Sequence, residues 1–367
     1  MNRRPSQSRT EYDSFSPRHT NRFTAATPDA RFFEPKRTST LRRRIFYLAC
    51  AVLLALCVVN LAVNQFVLVR RAEVPVRGLS QAFDGYAILH ISDLKGSAFG
   101  SRQGLFRFAL NKKHFDAVVM TGDMVSALGS AQPLYDMIDQ LRDLNPDAPI
   151  YMIPGDSDPV PTSESYFSSG SPFAPWVLGA RQRGAQLLSS PAAIEREGQT
   201  LWLTTGSLLS LDTQTMQRQF EQQYLRALSS GDDNAIELAT FNLKWLDETR
   251  TARELRTDDD VCVTLAHTPP TPQDTWLSQT GLVLCGHYMG GLVRLPLIGP
   301  LFIPSASLPR YGVFPGAFTH FGLRRENKTW IYTSPGLGAA SDDYPPLFFR
   351  LFNPPSVTLV TLTPSAL

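Results

Sequence analysis

The segment from Tyr86 to Lys95, YAILHISDLK, decides the predicted fold. Its first six residues are almost continuously apolar, and the run ends in Ser92-Asp93. Apolar runs of this length without alternation are typical of strands that are covered on both faces. The segment therefore predicts a buried strand with an acidic residue at its carboxyl end.

The same pattern recurs at four further points of the chain. Apolar runs over residues 116–121, 150–153, 261–266 and 282–285 are followed by Gly122-Asp123, Pro154-Gly155-Asp156, His267 and Gly286-His287. Helical spacing over 104–113 and 134–144 separates the first three runs, which predicts a β-α-β-α-β start. Strands of α/β sheets direct the residues at their carboxyl ends into one crevice. We therefore expect these Asp and His side chains to gather there, as ligands of a hard metal ion do.

The first 85 residues predict a membrane anchor. Residues 1–44 are rich in Arg, Ser, Thr and Pro and predict a disordered basic tail. Residues 45–69 carry no charge and, as a helix, would span a bilayer. Because basic residues are far more numerous before this segment, it predicts a single-pass helix with a cytoplasmic N-terminus and an extracytoplasmic folded domain after a stalk at 70–85. A cleaved signal peptide is the alternative, but the run is long for one and no small-x-small cleavage site follows it.

Composition restricts the partners of the folded part. The chain has 367 residues, of which 43% are hydrophobic, so it can bury a full core. Its formal net charge is +2, but the excess of arginine lies in the tail. The folded part is therefore close to neutral, and we expect no nucleic-acid partner.

In order and spacing, the five segments resemble the signature blocks of the calcineurin-like metallophosphoesterase family. Those blocks read Asp-x-His, Gly-Asp-x-x-Asp, Gly-Asn-His-Asp or Glu, a lone His, and Gly-His-x-His. Stretches within 290–305, 332–338 and 353–362 also look like the membrane-associated bacterial branch, some members of which resemble UDP-diacylglucosamine pyrophosphatases. The resemblance implies an α/β layered domain over 86–367, with two mixed β-sheets packed face to face and flanked by helices. Residues 213–257, strongly helical, are either a cap over the site or a packed surface pair.

The resemblance also implies ligands for two divalent ions, chosen from Mn, Fe and Zn. Asp93 and Asp123 would serve the first ion, with Asp123 bridging to the second. Asp123, Asp156, His267 and His287 would hold the second ion. Asp156 stands where the family has Asn, which makes that site more anionic.

Four further replacements depart from the family pattern, and two of them weaken the first site. Lys95 and Met289 stand where the family has histidine ligands, yet an ammonium cannot ligate and a thioether is a poor ligand for such ions. Ser157 replaces the histidine that donates a proton near the leaving group, and Ser126 replaces the last Asp of the second block. We therefore expect one ion, at most two, with Lys95 supplying the charge of the missing one.

These observations leave three interpretations. The first is a membrane-anchored phosphoesterase of reduced or unusual activity, with Asp93, Lys95 and Ser157 as catalytic candidates and a phosphate-containing small molecule or lipid-linked substrate. The second is an inactive relative that acts as a binding, scaffold or regulatory protein. The third treats the motif residues as structural remnants. Family membership favours hydrolysis, whereas the lost ligands argue against it.

Overall fold

The computed structural model describes residues 40–125, 130–169, 171–257, 260–295, 298–303, 308–315, 321–339 and 350–365. The described residues fall into two compact units, which are divided between residues 54 and 55. The predicted tail lies outside the described residues as far as residue 39, and so does Ser126. The five predicted strand-end residues are all described.

The first helix, α1, spans Thr40–Val63. By length and composition it is a candidate for a single membrane span. It ends before the predicted bound at residue 69, and the predicted stalk begins instead as a strand over Leu68–Arg77. The apolar run continues from the helix into this strand, and hydrophobicity alone does not separate the two conformations.

The remaining α-helices belong to the second unit. They are α2 (Gly104–Leu110), α3 (Gln132–Leu144), α4 (Pro175–Gln182), α5 (Gly206–Leu209), α6 (Thr213–Ser230) and α7 (Asp233–Leu255). The strongly helical stretch predicted at 213–257 is thus two helices. Asp212 and Asp232 begin them, because each side chain accepts backbone N–H groups of the first turn.

Fourteen strands are assigned in the described part of the chain. They are β1 (Leu68–Arg77), β2 (Ala87–Ile91), β3 (Ala117–Thr121), β4 (Ile150–Ile153), β5 (Ala185–Leu187), β6 (Ala192–Arg196), β7 (Gln199–Thr205), β8 (Val261–Leu265), β9 (Leu282–Cys285), β10 (Val293–Leu295), β11 (Gly299–Phe302), β12 (Gly322–Glu326), β13 (Thr329–Thr333) and β14 (Ser356–Ser365).

Two six-stranded sheets organise the second unit. The first has the order β1-β14-β2-β3-β4-β5, in which β2 to β5 are parallel neighbours and β14 runs antiparallel to β2. The second has the order β12-β13-β9-β8-β7-β6, with parallel strands β13, β9, β8 and β7 at its centre. Strands β10 and β11 pair as a separate hairpin.

The sheets face each other across one apolar core. Its members alternate along strands of both sheets, for example Ile88 and Val119 from the first and Val263 and Leu284 from the second. A second core lies between the other face of the first sheet and helices α2, α3 and α4. The predicted fold class, two mixed sheets flanked by helices, is confirmed.

Candidate metal centre

Five strand ends converge at one edge of the two sheets. Asp93, Asp123 and Asp156 follow β2, β3 and β4 of the first sheet, whereas His267 and His287 follow β8 and β9 of the second. Candidate ligand atoms of Asp93, Asp123 and His267 lie within 4.8 Å of one another. Those of Asp156, His267 and His287 form a second such group. The two groups share His267, so the geometry offers two adjoining cation positions.

The backbone of this site lies in the left-handed region at several non-glycine residues. The φ angles are 54° at Asp93, 48° at Lys95, 55° at Asp123 and 71° at His287. Such conformations are costly for residues with a Cβ and cluster at functional sites. Here hydrogen bonds between loops maintain them, since the Asp93 and Lys95 N–H groups donate to the carbonyls of Gly122 and Asp123 at 3.0 and 2.8 Å.

Two glycines allow the loops to approach the carboxylates. A Cβ at Gly155 would collide with the Asp123 carboxylate, and one at Gly286 would collide with the Ser92 hydroxyl and lie 2.6 Å from Asp93 Oδ2. Glycine is therefore required at both positions for the site to close as it does.

His267 is oriented from the side opposite the carboxylates. Its Nδ1 lies 2.8 Å from the Thr121 carbonyl oxygen, to which only an N–H can donate. Its Nε2 is thereby turned towards Asp123 Oδ2, at 3.3 Å, and His287 Nδ1, at 3.4 Å. Burial disfavours the charged ring, but the hydrogen bond and charge of Asp123 and the charge of Asp93 raise the pKa of His267 to about 9. The surroundings of Nε2 thus favour positive charge.

Lys95 places an ammonium against the carboxylate predicted to bridge two ions. Its Nζ lies 2.8 Å from Asp123 Oδ2 and 3.0 Å from the Ser157 hydroxyl oxygen. The Ser157 N–H donates to the other oxygen of Asp123 at 2.8 Å, and the Ser157 hydroxyl donates to Oδ2 at 3.2 Å. Despite burial, the hydrogen bond and charge of His267, together with Lys95, hold the pKa of Asp123 far below its usual range. Lys95 and Ser157, two of the replaced positions, are therefore partners of one carboxylate.

Asp93 is fully buried and incompletely satisfied. Its Oδ2 accepts the Ser92 hydroxyl at 2.6 Å and the His287 N–H at 3.2 Å. Its Oδ1 has no hydrogen-bond partner among the described residues. Burial raises the pKa of Asp93, against the charges of His267 and Lys95. A buried carboxylate oxygen without a donor is costly and fits a cation at this position.

Asp156 and His287 form the solvent-facing half of the site. The Asp156 side chain is 67% exposed, and its Oδ2 lies 3.3 Å from His287 Nδ1 and 4.0 Å from His267 Nε2. A hydrogen bond from His287 lowers the pKa of Asp156. A carboxylate oxygen and two imidazole nitrogens are a donor set suited to Zn, Mn or Fe. The residues present therefore fit one divalent ion well.

The sequence interpretation missed two residues that hold the site together. Asp158, the last residue of the Gly155-Asp156-Ser157-Asp158 segment, accepts the Val125 N–H at 2.6 Å and the Gly155 N–H at 2.8 Å. It thereby ties the loop after β3 to the loop after β4, and burial raises its pKa to about 6. The sequence did offer one indication of this role, because Asp158 lies within a segment that resembles a signature block of the family.

Arg350 is the other missed residue. Its buried guanidinium donates to backbone carbonyls of the loops that surround Asp93 and follow His287; the acceptors are Met289, Pro335, Gly336, Gly338 and Asn353. Burial lowers its pKa to about 9. Nothing in the local sequence around Arg350 indicates these contacts.

A cavity of about 680 Å³ opens beside His267. Helices α6 and α7 form part of its wall through Phe220, Phe241 and Trp245. Phe173 packs edge-on against Phe241, with ring centroids 5.6 Å apart. Among the lining residues, His267 alone carries a titratable side chain. The predicted helical insertion therefore forms part of the wall of a largely apolar cavity at the site, whose lining also includes Ser, Thr and Asn side chains.

The sequence model of the calcineurin-like phosphoesterase family matches residues 86–291, more than half of the chain. No curated protein sequence matches the chain significantly. Among solved structures, phosphopantetheinyl hydrolase from Mycobacterium tuberculosis is similar at 12% identity and a TM-score of 0.33. The alignment covers 69% of this chain and 91% of that one.

Proposed function

The chain belongs to the calcineurin-like phosphoesterase family, and on this premise we propose that it is a membrane-anchored, metal-dependent phosphoesterase with an eroded first metal site. The observation that carries the proposal is the group of Asp156, His267 and His287 beside Asp123, which offers carboxylate and imidazole ligands for one divalent ion. Such an ion would lower the pKa of a water molecule and neutralise phosphoryl oxygens.

The residues of the chain would divide the remaining tasks. Lys95, fixed beside Asp123, would bind a phosphoryl oxygen as a point charge and take the place of the second ion. Asp93 and Asp123 would keep that ammonium and the cation in position. Ser157 holds Asp123 but is no acid near neutral pH, so the leaving group would have to depart with little protonation. We therefore expect a preference for good leaving groups such as the phosphates of a pyrophosphate.

The cavity beside His267 supports a lipid-linked substrate over a fully polar one. Its volume lies within the range of about 300–1,000 Å³ that is usual for ligand sites. Most of its lining is aromatic or aliphatic and suits an uncharged, apolar group, while Ser, Thr and Asn side chains in the same lining offer hydrogen bonds to a neutral polar part of that group. The phosphate would lie at the charged residues next to the cavity. A phosphate-containing small molecule without such a group would leave the cavity unused.

Helix α1 supports the membrane anchor. Its 24 residues include a window that is apolar enough for a bilayer. The arginine-rich segment before it favours a cytoplasmic N-terminus, which would place the phosphoesterase domain outside.

Activity and metal content of the full chain test the proposal. The chain purified with manganese should hydrolyse a chromogenic phosphodiester and contain about one ion. His267→Ala and Asp123→Asn should each lower kcat/KM at least about 100-fold and reduce the bound metal. His114→Ala serves as the control, because the His114 side chain is exposed and precedes β3, at the end of that strand opposite to Asp123. Equal activity in all four proteins would contradict the proposal.

One observation favours a second candidate, a binding protein without turnover. Both oxygens of Asp123 already have partners, because Ser157 uses Oδ1 while Lys95 and His267 approach Oδ2. This arrangement stabilises the site without a first ion. A chain that binds one ion and a phosphate compound but hydrolyses none would establish this candidate.

A further inference from the structure

A small sheet beside the end of α1 exposes apolar side chains. We call it the platform: residues 292–295, 298–303, 312–314 and 350–353. The hairpin of β10 and β11 forms its centre, and bridges join Val293 to Leu351 and Phe302 to Val313. Four of its large apolar side chains are substantially exposed, namely Ile298 at 61%, Val313 at 42%, Phe314 at 67% and Phe352 at 45%, whereas Leu292 and Ile303 are buried. Isolated exposed apolar residues are ordinary, but several within one small sheet indicate an interaction surface.

The charged residues of the platform are all positive. Its sequence contains arginine but no Asp or Glu. At its edge, the guanidinium groups of Arg70 and Arg294 both contact the Phe321 ring, with Cζ 4.9 and 4.4 Å from the ring centroid. Arg70 also donates to the Ser356 hydroxyl and Arg294 to the Gly290 carbonyl.

These two arginines have no acidic counterpart in the described part of the chain. Neither forms an ion pair there. Burial lowers the pKa of both, and the charge of Arg70 lowers the pKa of Arg294 further. A pair of neighbouring guanidinium groups without a carboxylate is suited to an anion, and the planar fork of arginine favours a phosphate.

The platform is continuous with the last turns of α1. The Asn60 and Asn64 side chains donate to the Arg350 carbonyl at 2.8 and 2.7 Å. The Phe352 N–H in turn lies 3.3 Å from Asn60 Oδ1. An edge of the platform is therefore fixed to the end of the helix that we assign to the membrane.

From these contacts we infer that the platform lies on the bilayer surface, where Arg70 and Arg294 bind the phosphate of an anionic phospholipid headgroup. This inference rests on the membrane anchoring in the proposed function. Exposed apolar side chains would enter the interface between headgroups and acyl chains, while the arginines remain at phosphate level. Arg294 contacts the Gly290 carbonyl in the segment that follows His287, so the lipid contact adjoins the candidate metal centre.

Hydrogen exchange of the full chain in lipid nanodiscs tests the inference. Amides of 292–295, 298–303 and 312–314 should exchange more slowly in discs containing phosphatidylglycerol than in phosphatidylcholine discs. The exchange rates in the two kinds of disc should differ by up to about 30-fold, because two arginines favour binding to an anionic surface by about that factor. Arg70→Gln with Arg294→Gln should remove most of this difference. Arg325→Gln is the matched control, because Arg325 also stacks on an aromatic ring, 5.4 Å from the centre of Trp330, but belongs to β12 outside the platform.

The outcomes separate the inference from its premise. Equal exchange in the phosphatidylglycerol and phosphatidylcholine discs would overturn the inference that the platform binds an anionic headgroup. This comparison uses the unaltered chain alone. Equal protection by inorganic phosphate in phosphatidylcholine discs would also overturn it, in favour of a soluble anion. Release of the chain from membranes by an alkaline wash would instead contradict the membrane anchor itself.

Discussion

At the scale of single residues, we attribute the proposed loss of the first metal site to Lys95 and Met289. The ammonium of Lys95 lies 2.8 Å from Asp123 Oδ2, where it neutralises the carboxylate that would otherwise attract an ion. Lys95→His combined with Met289→His would remove this charge and supply two imidazoles. We expect the bound metal to rise from about one to about two ions per chain, and phosphodiesterase kcat to rise at least about tenfold. Elemental mass spectrometry and a chromogenic ester measure the two effects.

Lys112→His is the control for this prediction, because it adds an imidazole at an exposed position between α2 and β3, at the end of β3 opposite to Asp123. It should change neither metal content nor activity. If the double variant keeps the metal content and kcat of the unaltered chain, these two side chains do not cause the proposed loss of the first site.

At the scale of helices and strands, α7 forms part of the wall of the largely apolar cavity beside His267. Phe241 and Trp245 line it, and Phe241 packs edge-on against Phe173, which lines it too. Phe241→Ala would remove an aromatic wall, so the affinity for a fluorescent alkyl phosphate should fall roughly tenfold. The affinity for inorganic phosphate should stay the same, because that ligand does not reach the cavity. Fluorescence titration measures the first ligand and competition the second.

Leu225→Ala is the matched control, since this residue of α6 is 64% exposed and is not among those that line the cavity. Its affinity for the alkyl phosphate should equal that of the unaltered chain. Equal loss in both variants would show a general effect on the helices, and no loss in Phe241→Ala would place the apolar group elsewhere.

The sequence predicted best those strands in which every residue is buried. Strands β4 and β9 begin and end where their apolar runs do, at 150–153 and 282–285. Strand β1 was missed because its apolar start merges with the preceding helix, and its pairing partner β14 lies almost 300 residues later. The convergence of the Asp and His residues followed from strand direction alone. The role of α6 and α7 at the cavity did not, since amphipathic helices pack in many ways.

At the scale of the whole domain, Arg350 joins parts of the chain that sequence could not bring together. All five of its side-chain acceptors are backbone carbonyls, which any residue type provides, so no motif marks them. Its own carbonyl accepts Asn60 of α1 and Asn64. The end of the helix with the residue that follows it, the loop after His287 and the loop around Asp93 therefore meet at one residue, the first through its carbonyl and the two loops through its side chain.

This arrangement predicts that Arg350→Met lowers stability and metal binding together. The methionine would fill part of the space but leave several buried carbonyls without donors, at a cost of roughly 3–5 kcal/mol in the free energy of unfolding. Because Met289 and Gly338 adjoin His287 and Asp93, the metal content should fall as well. Arg107→Met, which removes an exposed arginine paired with Asp143, should cost about 1 kcal/mol or less and leave metal binding intact. Thermal unfolding and elemental analysis of the full chain in nanodiscs measure both effects. A stable Arg350→Met chain with normal metal content would show that the loops are held by their packing alone.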